Sequence, residues 1–221
     1  MIAVRRRVPL AAAAVLVLIG VSTEVARDAG WRLNLTASEP LGLYRLEPVT
    51  SNQIPRGALV ELCPPAWVTP AAFPFYLSGD CSGGGKEMLK TIVGIPGDRI
   101  WVSERGVAIN GVTLPGSAPR LRSNQYPKIL LPRIRGAVVL ARGQYWVYGG
   151  GARSALAAWS FDSRYFGPIA IGQIRGLAIP PGTPHPIYRV CGEVGDLPKL
   201  AEPGDFWSAA ELNSALFNTT S

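Results

Sequence analysis

The sequence almost lacks histidine, the side chain that most often serves as a general base near neutral pH. The one histidine, His185, stands between prolines in the segment 180–186. A histidine-based catalytic triad and a cluster of histidine metal ligands are therefore not expected. If this protein uses a serine as a nucleophile, a lysine is the natural base, because a serine hydroxyl needs a neighbouring group to take its proton.

Cysteine is scarce as well. The three cysteines are Cys63, Cys81 and Cys191, and no Cys-x-x-Cys pair occurs, so neither a metal site nor a cofactor is predicted. Cys63 and Cys81 bracket a proline-rich, loop-like segment, and an oxidising compartment would allow them to pair and hold that segment. Three unrelated thiols, or a disulfide that includes Cys191, remain alternatives.

No apolar run reaches the length of about 18 residues that is typical of a membrane span. The run at 8–21 follows three arginines, Arg5 to Arg7, and as a helix it would extend over about 21 Å, short of a hydrocarbon core of about 30 Å. It is either a signal anchor lengthened by snorkelling arginines or a cleavable signal peptide. Both interpretations place the following residues outside the cytoplasm. We favour the anchor, with residues 8–21 in the inner membrane and the domain in the periplasm.

Acidic residues are outnumbered, since 15 Asp and Glu face 22 Lys and Arg, which gives a net charge of +7. Such a balance can indicate nucleic acid or an anionic membrane surface as the partner. The arginines beside the apolar run favour the membrane. No dense basic stripe with interleaved aromatic residues follows, so a nucleic-acid partner is not predicted.

Long segments with helical periodicity are missing after the N-terminus, whereas Gly (25) and Pro (20) are abundant. This composition predicts a mostly β domain, rich in loops. The expected organisation is an N-terminal anchor at 1–28, a domain at 29–192 with an insertion loop at 63–86, and a C-terminal tail at 193–221. Strands are predicted at 87–95, 99–102 and 143–148, with a hairpin at 107–114 that turns at Asn110-Gly111.

Lys90 is the candidate base, because it interrupts the apolar strand predicted at 87–95. In a strand, Met88 and Ile92 share its face, so its amine would be poorly solvated. Desolvation disfavours the charged form and can lower the pKa of a lysine by several units, which makes the neutral amine available as a base. The alternatives are an edge-strand lysine that snorkels to water and a lysine in an ion pair.

Ser38 is the candidate nucleophile. It lies in a turn bounded by Pro40 and Gly42. A serine in such a place is most often a plain turn residue. Ser38 becomes a candidate nucleophile because a strand that carries a possible base, Lys90, follows later in the chain.

Four segments in a fixed order resemble a known family. Residues 38–40, 56–60, 90–98 and 160–167 look like the successive conserved boxes of the type I signal peptidases, the membrane peptidases that use a serine/lysine dyad. The segment Asn34 to Tyr44 is more similar to the conjugative-transfer branch, the TraF-type peptidases that mature a pilin. Ser-Glu at 38–39 replaces the Ser-Met of the general leader peptidases, and the segment 153–159 departs from their Gly-Asp-Asn-Arg-Asp-Asn.

The resemblance implies roles for single residues. Ser38 would be the nucleophile and Lys90 the general base. Thr36 would donate a hydrogen bond to the oxyanion beside the Ser38 backbone N–H, and Ser160 would orient the Lys90 amine. The remaining pair would form an ion pair that holds the Ser160 loop: Asp162 and Arg164.

The resemblance also implies a fold and a function. The fold would be the antiparallel β-sheet or barrel architecture of the signal peptidases, with one N-terminal membrane helix. The protein would be a membrane-anchored serine endopeptidase that acts outside the cytoplasm on an exported pre-protein or pilin precursor, by cleavage or by cleavage with cyclisation. Two alternatives remain: a general leader peptidase, and a non-catalytic periplasmic component of a secretion or mating channel.

Overall fold

The computed structural model describes residues 3–50, 53–149 and 158–182. The predicted tail at 193–221, His185 and Cys191 lie outside these ranges. The helices are α1 (Ala3–Asp28) and α2 (Ser163–Phe166), and a 3-10 turn covers Ile171–Gln173. The strands are β1 (Trp31–Asn34), β2 (Gly42–Glu47), β3 (Leu59–Leu62), β4 (Met88–Gly94), β5 (Arg99–Ser103), β6 (Gly106–Ile109), β7 (Val112–Thr113), β8 (Gly136–Val139), β9 (Gln144–Tyr148), β10 (Ile169–Ala170) and β11 (Ile174–Ile179).

The strands form two antiparallel sheets, which confirms the prediction of a mostly β, antiparallel domain. The larger sheet has the order β1-β2-β11-β3-β4-β9-β10, and the smaller one has the order β7-β6-β5-β8. Both orders have two free ends among the described residues, so neither sheet closes on itself. The barrel alternative is therefore wrong for this part of the chain.

The strands predicted from the sequence form with small changes at their ends. In β4, Lys90, Ile92 and Gly94 are buried, whereas the residues between them are partly exposed. This alternation is what a strand with one buried face requires. The predicted hairpin also forms, and both turn residues, Asn110 and Gly111, have the positive φ of a type I′ turn, 50° and 89°.

Strand β9 lies between two hydrophobic cores. Tyr145 and Val147 belong to the larger core, and Trp146, which points to the other face, belongs to the smaller one. A strand that is buried on both faces has little freedom to shift, because a slip of one residue would exchange the two sets. The end of β9 is therefore a rigid place from which to position a site.

The N-terminal helix α1 extends past both ends of the apolar run at 8–21 that was predicted as the anchor. None of the helices in the described ranges combines the length and the hydropathy needed to cross a bilayer. The C-terminal end of α1 is tied to the domain by Arg27, which forms ion pairs with Asp80 at 3.2 Å and with Glu87 at 3.0 Å.

The predicted insertion at 63–86 is closed by a disulfide between Cys63 and Cys81. Inside the insertion, Phe73 and Phe75 pack against Phe161, with ring centroids 5.0 and 5.3 Å away. The insertion thus contacts the residue that follows Ser160, and it supports the loop in which the sequence predicted a functional serine.

Candidate active site

Ser38 lies in the loop at 35–41 that joins β1 to β2 in an antiparallel hairpin. The loop is shaped by Asn34 at its base. The Asn34 side-chain nitrogen lies 2.9 to 3.0 Å from the carbonyl oxygens of Thr36, Glu39 and Pro40. Tyr44 adds a hydrogen bond of 2.6 Å from its hydroxyl to the Pro40 carbonyl. These contacts give the turn around the serine a defined shape although it carries no regular secondary structure.

Lys90 reaches this loop from β4. Its Nζ atom lies 3.1 Å from the Ser38 Oγ atom, within hydrogen-bonding distance. The lysine is 5% exposed, as the apolar strand predicted. The two residues singled out in the sequence, 52 positions apart, are therefore in direct contact.

The surroundings of Lys90 favour its neutral form. Burial lowers the pKa of its amine, because a desolvated ammonium is disfavoured, and the charge of Arg164 acts in the same direction. The carboxylates of Glu39 and Asp162 oppose this effect. Desolvation is the larger influence, so the amine loses its proton at a lower pH than an ordinary lysine.

Glu39, the residue after Ser38, is buried as well, and its charge acts on the Lys90 amine. It is 3% exposed, and its carboxylate accepts hydrogen bonds from the Thr91 backbone N–H at 2.9 Å and from the Thr91 hydroxyl at 3.1 Å. Burial raises the pKa of Glu39 to about 7, against the opposing influence of Lys90 and of the hydrogen bonds from Thr91. The site thus contains an acid and a base whose environments move their pKa values toward each other.

Asp162 and Arg164 form the predicted ion pair, and both are completely buried. The carboxylate accepts from the Arg164 side chain at 2.8 and 2.9 Å and from the Gly149 backbone N–H at 3.0 Å. Arg164 also donates to the Ser160 carbonyl oxygen at 2.8 Å. The pair therefore ties the Ser160 loop to the end of β9.

Ser160 packs on Gly149 near Ser38, but its hydroxyl makes no hydrogen bond within the described part of the chain, with Lys90 or with any other group. Its place follows from Gly149: a methyl group at that glycine would lie 2.0 Å from the Ser160 Oγ atom and 3.3 Å from the Ser38 Cβ atom. The two serines thus flank one glycine. That Ser160 orients the Lys90 amine stays a prediction.

We expect that Gly149→Ala lowers the free energy of unfolding by about 1–3 kcal/mol, because the new Cβ atom displaces Ser160 in a packed site. The measurement is chemical denaturation. Gly172→Ala is the matched control, since a Cβ atom there would meet no atom within 4 Å. Equal stability of the two variants would contradict the close packing of Ser160 on Gly149.

Thr36 does not take the position of a free donor in this structure. It is exposed, and its hydroxyl donates to the Asn34 side-chain oxygen at 2.7 Å. A rotation about its side chain would be needed before that hydroxyl could point to an oxyanion beside the Ser38 backbone N–H. Its role as an oxyanion donor stays a prediction.

Three residues of this site were not identified from the sequence: Asn34, Glu39 and Gly149. Asn34 and Glu39 were noticed only as parts of a motif, and the Ser-Glu pair only as a departure from Ser-Met. The sequence did not reveal them because their contacts are distant in the chain. Glu39 binds Thr91, 52 positions away, and Gly149 is important because Ser160 packs on it. A carboxylate next to a candidate nucleophile is the one signal that could have directed attention to Glu39.

The arrangement has the elements of base-assisted acyl transfer: a hydroxyl, a buried amine that favours its neutral form, and a rigid support for both. The Lys90 amine donates to the Ser38 hydroxyl at 3.1 Å, so the two groups are close enough for a proton to pass between them. The described residues place no imidazole in the site, and the amine that they bring to Ser38 is that of Lys90.

Known proteins resemble this chain over most of its length. The family model described as signal peptidase, peptidase S26, matches residues 2–181. The conjugal transfer protein TraF of Agrobacterium tumefaciens is 38% identical over 173 residues, 77% of this chain and 92% of that protein. The plasmid transfer protein TraF of Escherichia coli is 34% identical over 155 residues, 69% of this chain and 82% of that protein.

The solved structure of a signal peptidase I from Enterococcus faecalis aligns with 56% of this chain and with 95% of its own chain, at 18% identity and a TM-score of 0.29. The sequence matches are far more extensive, and they confirm the resemblance predicted from the four ordered motifs. The family model spans most of the 221 residues, and the relatives exceed 30% identity. The chain therefore belongs to the signal peptidase family, peptidase S26.

Proposed function

We propose that this protein is a serine endopeptidase in which Ser38 is the nucleophile and Lys90 is the general base. The observation that carries the proposal is the 3.1 Å distance between the Ser38 Oγ atom and the Nζ atom of a buried lysine. Burial lowers the pKa of Lys90, and only a neutral amine can take the serine proton.

The mechanism follows the usual order of acyl transfer. The Lys90 amine takes the Ser38 proton as Oγ attacks the carbonyl carbon of the scissile peptide bond, which gives a tetrahedral oxyanion. The Lys90 ammonium then gives its proton to the leaving nitrogen, and the peptide bond breaks. The resulting ester on Ser38 is released by water, which completes cleavage, or by an amine, which forms a new peptide bond.

The oxyanion needs donors on the face away from Lys90. We assign this task to the Ser38 backbone N–H and to the Thr36 hydroxyl, after that hydroxyl leaves Asn34. A preorganised donor of this kind contributes about 3–4 kcal/mol in other acyl-transfer enzymes. Ser160 is proposed to accept or donate a hydrogen bond at the Lys90 amine once a substrate orders the site.

The proposed substrate is an exported pilin precursor that is matured for conjugative transfer. The support comes from the relatives, which are called conjugal or plasmid transfer proteins. We further propose that the protein acts on the periplasmic side of the inner membrane and associates with the bilayer through residues 8–21. The Cys63–Cys81 disulfide supports an oxidising compartment.

The test is incubation of the purified protein with a candidate pilin precursor from the same transfer system, followed by measurement of the product mass. We expect a shortened product. A mass equal to that of the cleaved linear chain would indicate hydrolysis, and a mass lower than that by one water would indicate cyclisation. Ser38→Ala protein serves as the control for contaminating peptidases.

Other results would point to the alternatives. Cleavage of many unrelated signal peptides at similar rates would favour a general leader peptidase. No cleavage of any pre-protein by folded protein would contradict the proposal and favour a non-catalytic component of the transfer channel.

A further inference from the structure

A second contact runs beside the one between Ser38 and Lys90. It joins the two residues that follow them, because the Glu39 carboxylate accepts from the backbone N–H and from the hydroxyl of Thr91. Both carboxylate oxygens take part, since the Thr91 hydroxyl lies 3.1 Å from each. Two adjacent residues of the hairpin loop are thus bound to two adjacent residues of β4.

The loop needs such a contact because little apolar packing holds it. Leu35 and Leu41, at its two ends, are 77% and 65% exposed. Asn34 determines the internal shape of the loop through carbonyl contacts, but that asparagine belongs to the same hairpin and cannot fix the loop against β4. Glu39 is the buried side chain that reaches from the loop to that strand.

We propose that Glu39 is a positioning residue for the dyad: its carboxylate holds the Ser38 loop against the Lys90 strand through Thr91, and its charge favours the ammonium form of Lys90. The inference rests on the proposed function, since it concerns how the proposed nucleophile and base are brought together. It assigns to Glu39 no contact with the substrate and no proton transfer in the reaction.

The charge of Glu39 changes the pKa of Lys90 in a definite direction. The charged groups that act on Lys90 are Glu39, Asp162 and Arg164, and those that act on Glu39 are Lys90 and Asp162. Glu39 raises the pKa of Lys90, whereas burial and Arg164 lower it. Glu39 also raises the pKa of the Tyr44 phenol, although burial is the larger cause of that shift. Removing the Glu39 charge should therefore leave Lys90 neutral at a lower pH.

The experiment is the pH dependence of kcat/KM for Glu39→Gln, a substitution that keeps the shape and can still accept from Thr91. Activity needs neutral Lys90, so it rises with pH through the pKa of that amine. Above pH about 7 Glu39 is ionised and its charge raises the Lys90 pKa, so we expect the acidic limb of the variant to move to lower pH by about one unit, the effect of one opposite charge. Glu61→Gln is the matched control: it removes another buried glutamate charge, on the adjacent β3, that is not among the groups acting on Lys90.

The holding part is tested separately at Thr91. Thr91→Val removes the hydroxyl but keeps the Glu39 charge, so we expect kcat to fall at least about tenfold, because small displacements of a nucleophile from its base are costly. Thr91→Ser restores the hydroxyl and should recover most of that loss. A merely structural contact would lower the unfolding midpoint of Glu39→Gln and Thr91→Val in denaturant titration without moving the acidic limb of Glu39→Gln.

The outcomes are distinct. An inactive wild-type protein overturns the proposed function, whereas an active wild type with the same acidic limb in Glu39→Gln overturns only the charge role of Glu39. If Glu39→Gln does not fold, the Thr91 pair still decides, since equal kcat in Thr91→Val and wild type overturns the holding role. A shift of the limb together with rescue by Thr91→Ser supports both parts.

Discussion

Alanine at Ser38 or at Lys90 is expected to lower the rate of pre-protein processing by at least about 10⁴-fold. The two side chains are 3.1 Å apart, and in the proposed mechanism neither acts without the other, because the hydroxyl needs the amine to take its proton. When two residues act as one unit, removing either one abolishes most of the rate enhancement of the enzyme. The double variant should therefore be no slower than the single variants. The measurement is the appearance of product by mass spectrometry.

Matched controls separate the chemistry from the fold. Lys86→Ala and Ser82→Ala remove an exposed lysine and an exposed serine near the same strand, and processing should continue in both. Circular dichroism should give the same spectrum for all four variants. Substantial processing by folded Ser38→Ala or Lys90→Ala would refute the dyad.

The largest effect on stability is expected from Asp162→Asn. This substitution leaves the Arg164 guanidinium completely buried beside a neutral group, and breaking a buried ion pair costs about 3–5 kcal/mol. It also weakens the contact to the Gly149 backbone N–H, which holds the end of β9. The free energy of unfolding from denaturant titration measures the loss.

Glu104→Gln is the control for that experiment. Glu104 forms ion pairs with Arg133 and Arg135, but all three side chains are substantially exposed. Exposed pairs contribute about 0–1 kcal/mol, because water screens them and the side chains lose entropy. Similar losses in Asp162→Asn and Glu104→Gln would mean that the buried pair does not hold the Ser160 loop.

Much of the architecture could be predicted from local pattern. The apolar run around Lys90 indicated a buried strand, and the Asn110-Gly111 turn indicated a hairpin; both form. The prediction that Cys63 pairs with Cys81 also agrees with the structure. The strand and the hairpin depend on neighbours in the chain, and for that reason local pattern was sufficient for them.

Other predictions needed more than local pattern. The barrel alternative failed because closure of a sheet depends on which strands pair at its ends, and β1 and β10 do not meet. The hydrogen bonds between Glu39 and Thr91 were not predicted. A buried carboxylate is tolerated only where it has a hydrogen-bonding partner, and this partner is 52 residues away in the chain.

The sequence alone determined the family, the mostly β character and the identity of the two residues in contact, because ordered motifs, apolar runs and composition are properties of the chain itself. Only the tertiary structure decided how these residues meet. Strands β2 and β4 are separated by β11 and β3, three spacings of about 4.8 Å, so Ser38 and Lys90 come together from strands that are not neighbours in the sheet. Burial then sets the charge state of both Lys90 and Glu39, and burial is a property of the packed molecule, not of the chain.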